Sequence, residues 1–243
     1  MSVNSIFGGW NEPPVHGAND DLIQLFHKLA AQHIGTPQFK PNFGLSQRAH
    51  EIVQLWELYR RAKPKVVCEL GIAQAGSFAA WCLLGEPDAL IIGIDKDPND
   101  ARPRQGEPVD PTIYDGPLSS TSQGGGIHCL RQKQQTTRAI SGWSYAPEVM
   151  AQLLQILNGR KIDWMWNDGS HDAEGTQRDW DLYWPLVADG GVYAMHDIMP
   201  SAHSDCNRSE AYERIKATAD YSALFEFRSS RSCDSMGIAA FVK

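Results

Sequence analysis

The sequence predicts a three-layer α/β fold, in which helices cover both faces of a mostly parallel sheet. Apolar runs without alternation, such as KVVCEL at 65–70, are typical of strands that are buried on both faces. Segments 65–95 and 162–195 each follow the order strand, helix, strand, a unit whose connection is right-handed. We therefore expect a sheet of about seven strands, with the last one antiparallel and extra helices at the N-terminus.

The N-terminal part is predicted to be helical. Apolar residues recur at three- and four-residue spacing over 20–34, which predicts a first helix. A Pro- and Gly-containing hinge at 36–44 leads to Ser46, a good N-cap residue before a second apolar stripe. We therefore predict a helical extension, 1–45, followed by the main domain, 46–243.

The middle of the chain interrupts the alternation of strands and helices. Five prolines and five glycines fall in 97–126, which predicts a long loop, either a lid over the site or a solvated insertion. A short strand is predicted at 127–130 and a helix over 147–157. Near the C-terminus, the runs ALFEF at 223–227 and GIAAFV at 237–242 predict the two strands of a final hairpin.

Composition favours a small-molecule ligand. The 22 basic and 29 acidic residues give a formal charge of −7, which argues against an extended phosphate backbone and therefore against nucleic acid as the partner. The N-terminus lacks the pattern of a signal peptide, and we expect a soluble, cytoplasmic protein without membrane contact. The five cysteines are scattered and are interpreted as reduced thiols, not as zinc ligands. A homo-oligomer is left open.

The turn after the first predicted strand suits a nucleoside. Gly71 and Gly76 allow close approach of a ligand to the backbone, and Ser77 begins the next helix. The turn lacks the GxGxxG spacing of dinucleotide sites. Glu69 would accept a hydrogen bond from an amino group of the ligand, and Asp95 ends the next strand where an acid accepts from ribose hydroxyls. The alternative for Asp95 is an ordinary turn or helix-cap residue.

Two acidic turns, NDGSH at 167–171 and MHD at 195–197, each follow a strand-like run. The strand-helix-strand topology places Asp168 and Asp197 at the same edge of the sheet. Because neighbouring strands lie roughly 4.8 Å apart, the two carboxylates would share one divalent cation.

These motifs resemble a known family. ELGIAQAGS followed by GIDKD looks like the first two motifs of class I S-adenosylmethionine-dependent methyltransferases. The segment from DGSH to DGGVYAMHD is similar to the branch of the macrolide-sugar O-methyltransferases and cephalosporin hydroxylase, and the resemblance covers roughly residues 48–200. It implies a Rossmann-like methyltransferase fold, magnesium or manganese at Asp168 and Asp197, and His171 as the general base. His196 stands where the sugar enzymes have an acid, so water, a borderline metal that accepts imidazole, or the absence of a metal remain open.

The predicted function is methyl transfer from S-adenosylmethionine to a hydroxyl of a small molecule, a sugar or glycosylated metabolite by resemblance. Trp143 falls where this fold contacts adenine and would stack on the base. His171 has a structural alternative, as a histidine that bonds backbone at a helix start. A nicotinamide-dependent oxidoreductase and a non-catalytic nucleoside-binding protein are the alternative functions. The helix after DGSH is expected to bury its apolar residues, Trp180, Tyr183, Trp184 and Leu186, and to expose its charged residues, Asp179 among them.

Overall fold

We describe the chain from a computed structural model. The structure describes residues 20–31, 45, 47–73, 76–96, 114–115, 134–201, 206–228 and 236–243.

Six helices and eight strands alternate along these residues. In chain order they are α1 Asp20–Ala31, α2 Ala49–Ala62, β1 Val66–Leu70, α3 Gly76–Leu84, β2 Leu90–Asp95, β3 Tyr114–Asp115, β4 Thr136–Ser141, α4 Pro147–Leu157, β5 Ile162–Asn167, α5 Ala173–Tyr183, β6 Val187–His196, α6 Arg208–Thr218, β7 Ala223–Phe227 and β8 Ile238–Val242. A short 3-10 turn, Trp184–Leu186, joins α5 to β6.

The strands form one sheet in the order β3-β4-β2-β1-β5-β6-β8-β7. Strands β4, β2, β1, β5 and β6 pair in parallel. Strand β8 runs antiparallel to β6 and β7, which confirms the predicted antiparallel last strand, and β3 is a two-residue antiparallel strand at the other edge. The order reverses between β1 and β5, because the chain moves outward through β2 and β4 and then returns beside β1. Sheets of this kind bind ligands outside the carboxyl ends of the strands at such a reversal.

The described core has two halves, one on each face of the sheet. Helices α1, α2 and α3 pack on one face around a cluster of aromatic residues, Trp56, Tyr59, Trp81, Trp164 and Trp166. Helices α4, α5 and α6 cover the other face around Leu153, Trp180 and Tyr212. The predicted three layers are therefore confirmed. Leu22 of α1 is fully buried in the first half, so this helix packs on the main domain; the predicted division at residue 45 stays a prediction.

Most predicted elements are found close to their expected ends. The helix over 147–157 and the strand LIIGID at 90–95 have the predicted bounds. Helix α2 begins at Ala49, with Arg48 at the N-cap position; the predicted cap Ser46 lies outside the described residues, as does the strand predicted at 127–130. The loop predicted over 97–126 is described only at β3, which the sequence did not predict.

Strand β4 is a described element that the sequence analysis missed. Its residues, TTRAIS, alternate between partly exposed and buried positions, and only Ala139 and Ile140 are apolar. A short strand with so few apolar residues has a weak periodic signal.

Among the described helices, none has the length and apolar character that crossing a bilayer requires. Cys68 and Cys82 are buried free thiols and Cys206 is a partly exposed one. The other two cysteines lie outside the described residues.

Candidate functional site

A cavity of about 520 Å³ opens at the carboxyl ends of β1, β2, β4 and β5. We call it the edge cavity. Its walls bring together side chains from the ends of three strands: Asp95 at the end of β2, Trp143 after β4, and Asp168 and His171 after β5. Ligand pockets of enzymes have volumes of this order.

Three of the predicted cofactor residues do not line the described part of the edge cavity. Glu69 is fully buried in β1, and one of its carboxylate oxygens accepts a hydrogen bond from the Ser77 hydroxyl at the start of α3. Burial raises the pKa of Glu69 well above its usual range, against the lowering effect of the Ser77 hydrogen bond. The described lining of the cavity does not include Glu69, Gly76 or Ser77. Their cofactor roles stay predictions.

Gly71 and Asp95 hold the turn after β1 in place. Gly71 has a φ of +78°, and a Cβ atom there would lie 2.2 Å from the Asp168 carbonyl oxygen. The sequence analysis expected this glycine to admit a ligand; the structure adds that it admits the backbone of the acidic turn. Asp95 Oδ2 accepts hydrogen bonds from the backbone N–H groups of Ile72, at 2.8 Å, and Ala73, at 3.1 Å. Asp95 therefore orders the turn and also lines the cavity.

Trp143 projects at the mouth of the cavity beyond the end of β4. It is 55% exposed, stacks on Tyr145 with 5.8 Å between ring centroids, and has the Lys96 ammonium 5.5 Å from its ring centre. An exposed indole at the edge of a cavity is available to stack on a planar ligand. Its role with adenine stays a prediction.

The two predicted acidic residues do meet at one edge of the sheet, together with His196. Asp168 follows β5, and Asp197 follows His196 at the end of β6 in the left-handed conformation, with a φ of +58°. His196 Nδ1 lies 3.3 Å from Asp168 Oδ1 and 3.4 Å from Asp197 Oδ1. The imidazole therefore bridges the two carboxylates.

Two further side chains contact the Asp168 carboxylate. The Gln47 side-chain amide donates to Asp168 Oδ2 at 2.6 Å. Arg208, which is fully buried at the start of α6, places Nη1 3.6 Å from Asp168 Oδ1. Arg208 Nη2 also donates to the carbonyl oxygen of Asn167 at 2.9 Å, which anchors the guanidinium to the end of β5.

The charges of this cluster support one another. Burial raises the pKa of Asp168, but the positive charges of His196 and Arg208 outweigh it and lower that pKa to about 2. Burial lowers the pKa of His196, but Asp168 and Asp197 outweigh it and raise that pKa to about 10. At neutral pH His196 is therefore an imidazolium held between carboxylates.

Stability should depend on the charge of His196 at alkaline pH. Its pKa in the folded chain, about 10, lies above the ordinary value of roughly 6.5, so its contribution is complete below about pH 6.5 and is lost as the pH rises through 10. Urea unfolding at about pH 6 and about pH 9.5 should show a larger loss of unfolding free energy in the wild type than in His196→Gln. Equal losses would contradict the ion pair.

His171 lies on the solvent side of the same cluster. Its side chain is 53% exposed, lines the edge cavity, and has Nε2 3.8 Å from Asp197 Oδ2. The Cys206 thiol is near both residues, since one ligand atom from each of the three lies within 4.8 Å of the other two. The neighbouring Asp172 caps α5, accepting from the Gly175 N–H at 2.7 Å, as expected for an acid in a first turn.

One charged residue of α5 is buried where exposure was predicted. Asp179 was expected on the solvated face, but it is only 1% exposed and lines the edge cavity. Its Oδ1 accepts from the Ser144 hydroxyl, and burial raises its pKa. The helix turns this residue toward the cavity because Trp180 and Tyr183, on neighbouring positions, pack into the core as predicted. Trp184 and Leu186, also expected in the core, pack against it but are only partly buried.

Sequence reasoning also missed Gln47, Asn167 and Arg208. Asn167 belongs to the NDGSH motif, and its buried side chain donates to the Tyr193 hydroxyl at 2.8 Å. An asparagine that ends a strand next to an acid was an available signal for it. Gln47 and Arg208 reach the site from distant parts of the chain, and nothing in their local sequence predicts this.

Comparisons with known proteins identify the family of the chain. A family model described as a methyltransferase domain matches residues 68–198. No curated protein matches the chain.

Solved structures share the fold at low sequence identity. The O-methyltransferase from Bacillus cereus, in complex with SAH, is 13% identical over 94% of both chains, with a TM-score of 0.54. The O-methyltransferase TomG from Streptomyces achromogenes, involved in tomaymycin synthesis and solved with SAM, is 13% identical over 92% of this chain and 89% of its own, with a TM-score of 0.56. Both confirm the predicted fold. Since the family match spans more than half of the sequence, the chain belongs to the methyltransferase-domain family.

Proposed function

We propose that the protein transfers a methyl group from S-adenosylmethionine to a hydroxyl of a small molecule. The observation that carries the proposal is the edge cavity, which places Asp95 and Trp143 in the same space as His171. Asp95 and Trp143 are suited to bind a nucleoside, and His171 is suited to accept the proton that the acceptor hydroxyl must lose. A sugar or glycosylated metabolite is the acceptor class that the resemblance implies.

The cofactor side of the cavity has the features that a nucleoside needs. Asp95 offers a carboxylate to ribose hydroxyls beside an ordered backbone turn, and Trp143 offers an exposed ring to the base. Two proteins of the same fold were solved with SAH and SAM, which supports this choice of cofactor.

His171, on the acceptor side of the cavity, and Asp197 beside it carry out the proton transfer. S-adenosylmethionine, when bound, supplies an electrophilic methyl group: as the acceptor oxygen bonds to this carbon, the carbon–sulfur bond breaks and its electron pair stays on sulfur. A neutral hydroxyl is a weak nucleophile, so its proton goes to an imidazole nitrogen of His171. Asp197, 3.8 Å from His171 Nε2, stabilises the imidazolium that results.

The chemistry of Asp168, His196 and Asp197 does not match the predicted magnesium or manganese site. Magnesium prefers oxygen ligands. Both oxygens of Asp168 already face donors, Gln47 at one and His196 with Arg208 at the other. A buried guanidinium beside the carboxylate also repels a cation. These three residues therefore do not fit a hard divalent cation, and the proposed reaction takes no step through one.

Replacement of Asp95 tests the cofactor side. Asp95→Ala removes the acceptor for ribose hydroxyls and for the Ile72 and Ala73 N–H groups, so the binding free energy of S-adenosylmethionine should weaken by about 1 to 3 kcal/mol in calorimetry. The control is Asp220→Ala, an exposed acid outside the cavity lining, which should bind like the wild type. Unchanged affinity in Asp95→Ala would remove this residue from the site. Tight binding of NAD instead would favour the oxidoreductase alternative.

A further inference from the structure

A second group of potential metal ligands shares Asp197 with the acidic cluster. It consists of His171, Asp197 and Cys206, and we call it the mixed-ligand cluster. An imidazole, a carboxylate and a thiol come from three different segments: the turn before α5, the end of β6 and the residue before the cap of α6. Within this cluster His171 is exposed, Cys206 is partly exposed and Asp197 is buried.

We propose that the mixed-ligand cluster binds a divalent transition-metal cation of the zinc class. Thiolate and imidazole ligands select borderline and soft cations, whereas magnesium and calcium prefer oxygen. Three protein ligands leave a fourth tetrahedral position open for water or another small ligand. The interpretation of the cysteines from sequence, as thiols without metal ligation, is thereby revised for Cys206.

The spacing of the ligand atoms suits such an ion. Zinc bonds of 2.0 to 2.3 Å in a tetrahedron put neighbouring ligand atoms roughly 3.3 to 3.8 Å apart. His171 Nε2 and Asp197 Oδ2 are 3.8 Å apart, and all three ligand atoms lie within 4.8 Å of one another.

The segments that carry the ligands are held by hydrogen bonds. The Asn207 side chain, next to Cys206, accepts from the Ala173 N–H at 2.8 Å. The residue after Asp197 donates to the Gly237 carbonyl, and the Ser170 carbonyl, next to His171, accepts from Thr176 at 3.0 Å. Fixed backbones reduce the ordering that metal binding requires.

Occupation of this site would block the proposed reaction. This consequence rests on the proposed function, because a metal bound to the imidazole of His171 uses the lone pair that would take the acceptor proton. Zinc should therefore inhibit methyl transfer.

The test uses Co²⁺ as a spectroscopic substitute for zinc and does not depend on catalytic activity. Titration of the reduced, metal-free protein with Co²⁺ should produce a thiolate-to-cobalt charge-transfer band at one equivalent, which Zn²⁺ then removes. Cys206→Ser should lack the band, while His171→Ala and Asp197→Asn should bind Co²⁺ at least about tenfold more weakly. His196→Gln should keep the band, because His196 belongs only to the other cluster.

Several results would overturn the proposal. A band of equal intensity in Cys206→Ser would assign cobalt to another of the cysteines, and binding without any band would assign it to oxygen and nitrogen ligands alone. In the activity assay, zinc should inhibit the wild type and leave Cys206→Ser unaffected; equal inhibition of both would remove the link to this cluster. The cobalt band is measured without substrate. The result for the metal site therefore does not depend on whether the protein transfers methyl groups.

Discussion

His171→Ala should lower turnover by about 10² to 10⁴-fold and leave the affinity for S-adenosylmethionine unchanged. The loss follows from the removal of the group that takes the acceptor proton, while Asp95 and Trp143 on the cofactor side are untouched. Single-turnover kinetics at saturating cofactor, together with calorimetry for the affinity, measure the two effects separately.

The chain provides a closely matched control in His50. Its side chain is also 53% exposed, and its Nε2 lies 3.7 Å from an oxygen of the buried Glu51, as His171 lies 3.8 Å from Asp197. His50 does not line the edge cavity, so His50→Ala should keep full activity. Full activity in a folded His171→Ala protein would disprove the assignment of the base. A loss of activity that follows the loss of thermal stability would favour a structural role for His171.

Arg208→Met should reduce the free energy of unfolding by about 3 to 5 kcal/mol. The guanidinium is fully buried, pairs with Asp168 and donates to the Asn167 carbonyl. Methionine fills similar space but leaves these acceptors without their donor. Urea unfolding near neutral pH measures the change. Arg208→Lys keeps the charge without the planar fork, so its unfolding free energy should fall between those of the wild type and Arg208→Met.

Arg214 serves as the control on the same helix. It is exposed, and the hydrogen bond from its guanidinium to the Ala173 carbonyl is long at 3.4 Å. Arg214→Met should change the unfolding free energy by no more than about 0.5 kcal/mol. If Arg208→Met cost as little as this control, the buried pair with Asp168 would make no net contribution to stability.

The parallel part of the sheet could be predicted from sequence because its strands are buried on both faces. Runs such as LIIGID have no polar positions to obscure the pattern, and the helices between them carry clear stops, such as Gly85 after α3. Strand β4 was missed because it lies near the sheet edge and keeps polar residues among its buried ones. Its existence depends on pairing with β2, which no local pattern encodes.

The candidate site could be predicted where it follows from topology. Asp168 and Asp197 meet because neighbouring parallel strands end at one edge, and His171 follows Asp168 by a short turn. The partners that decide their chemistry could not be predicted in this way. Gln47 contacts Asp168 across 121 positions of the chain, and Arg208 across 40, so tertiary packing alone brings them together. The magnesium expectation depended in part on the Asp168 carboxylate, which these two partners contact.

The contact between Gly71 and Asp168 has a consequence for the coupling between the two proposed ligands. The Asp168 N–H donates to the Leu70 carbonyl at 2.8 Å, and at Gly71 the backbone of the proposed cofactor turn lies directly against the backbone of the turn that carries Asp168 and His171. A ligand that displaces one turn must displace the other, so the two affinities are thermodynamically coupled. By reciprocity, each ligand changes the affinity for the other by the same factor. Cofactor and acceptor should therefore bind cooperatively when both favour the same position of the paired turns, and antagonistically when they do not.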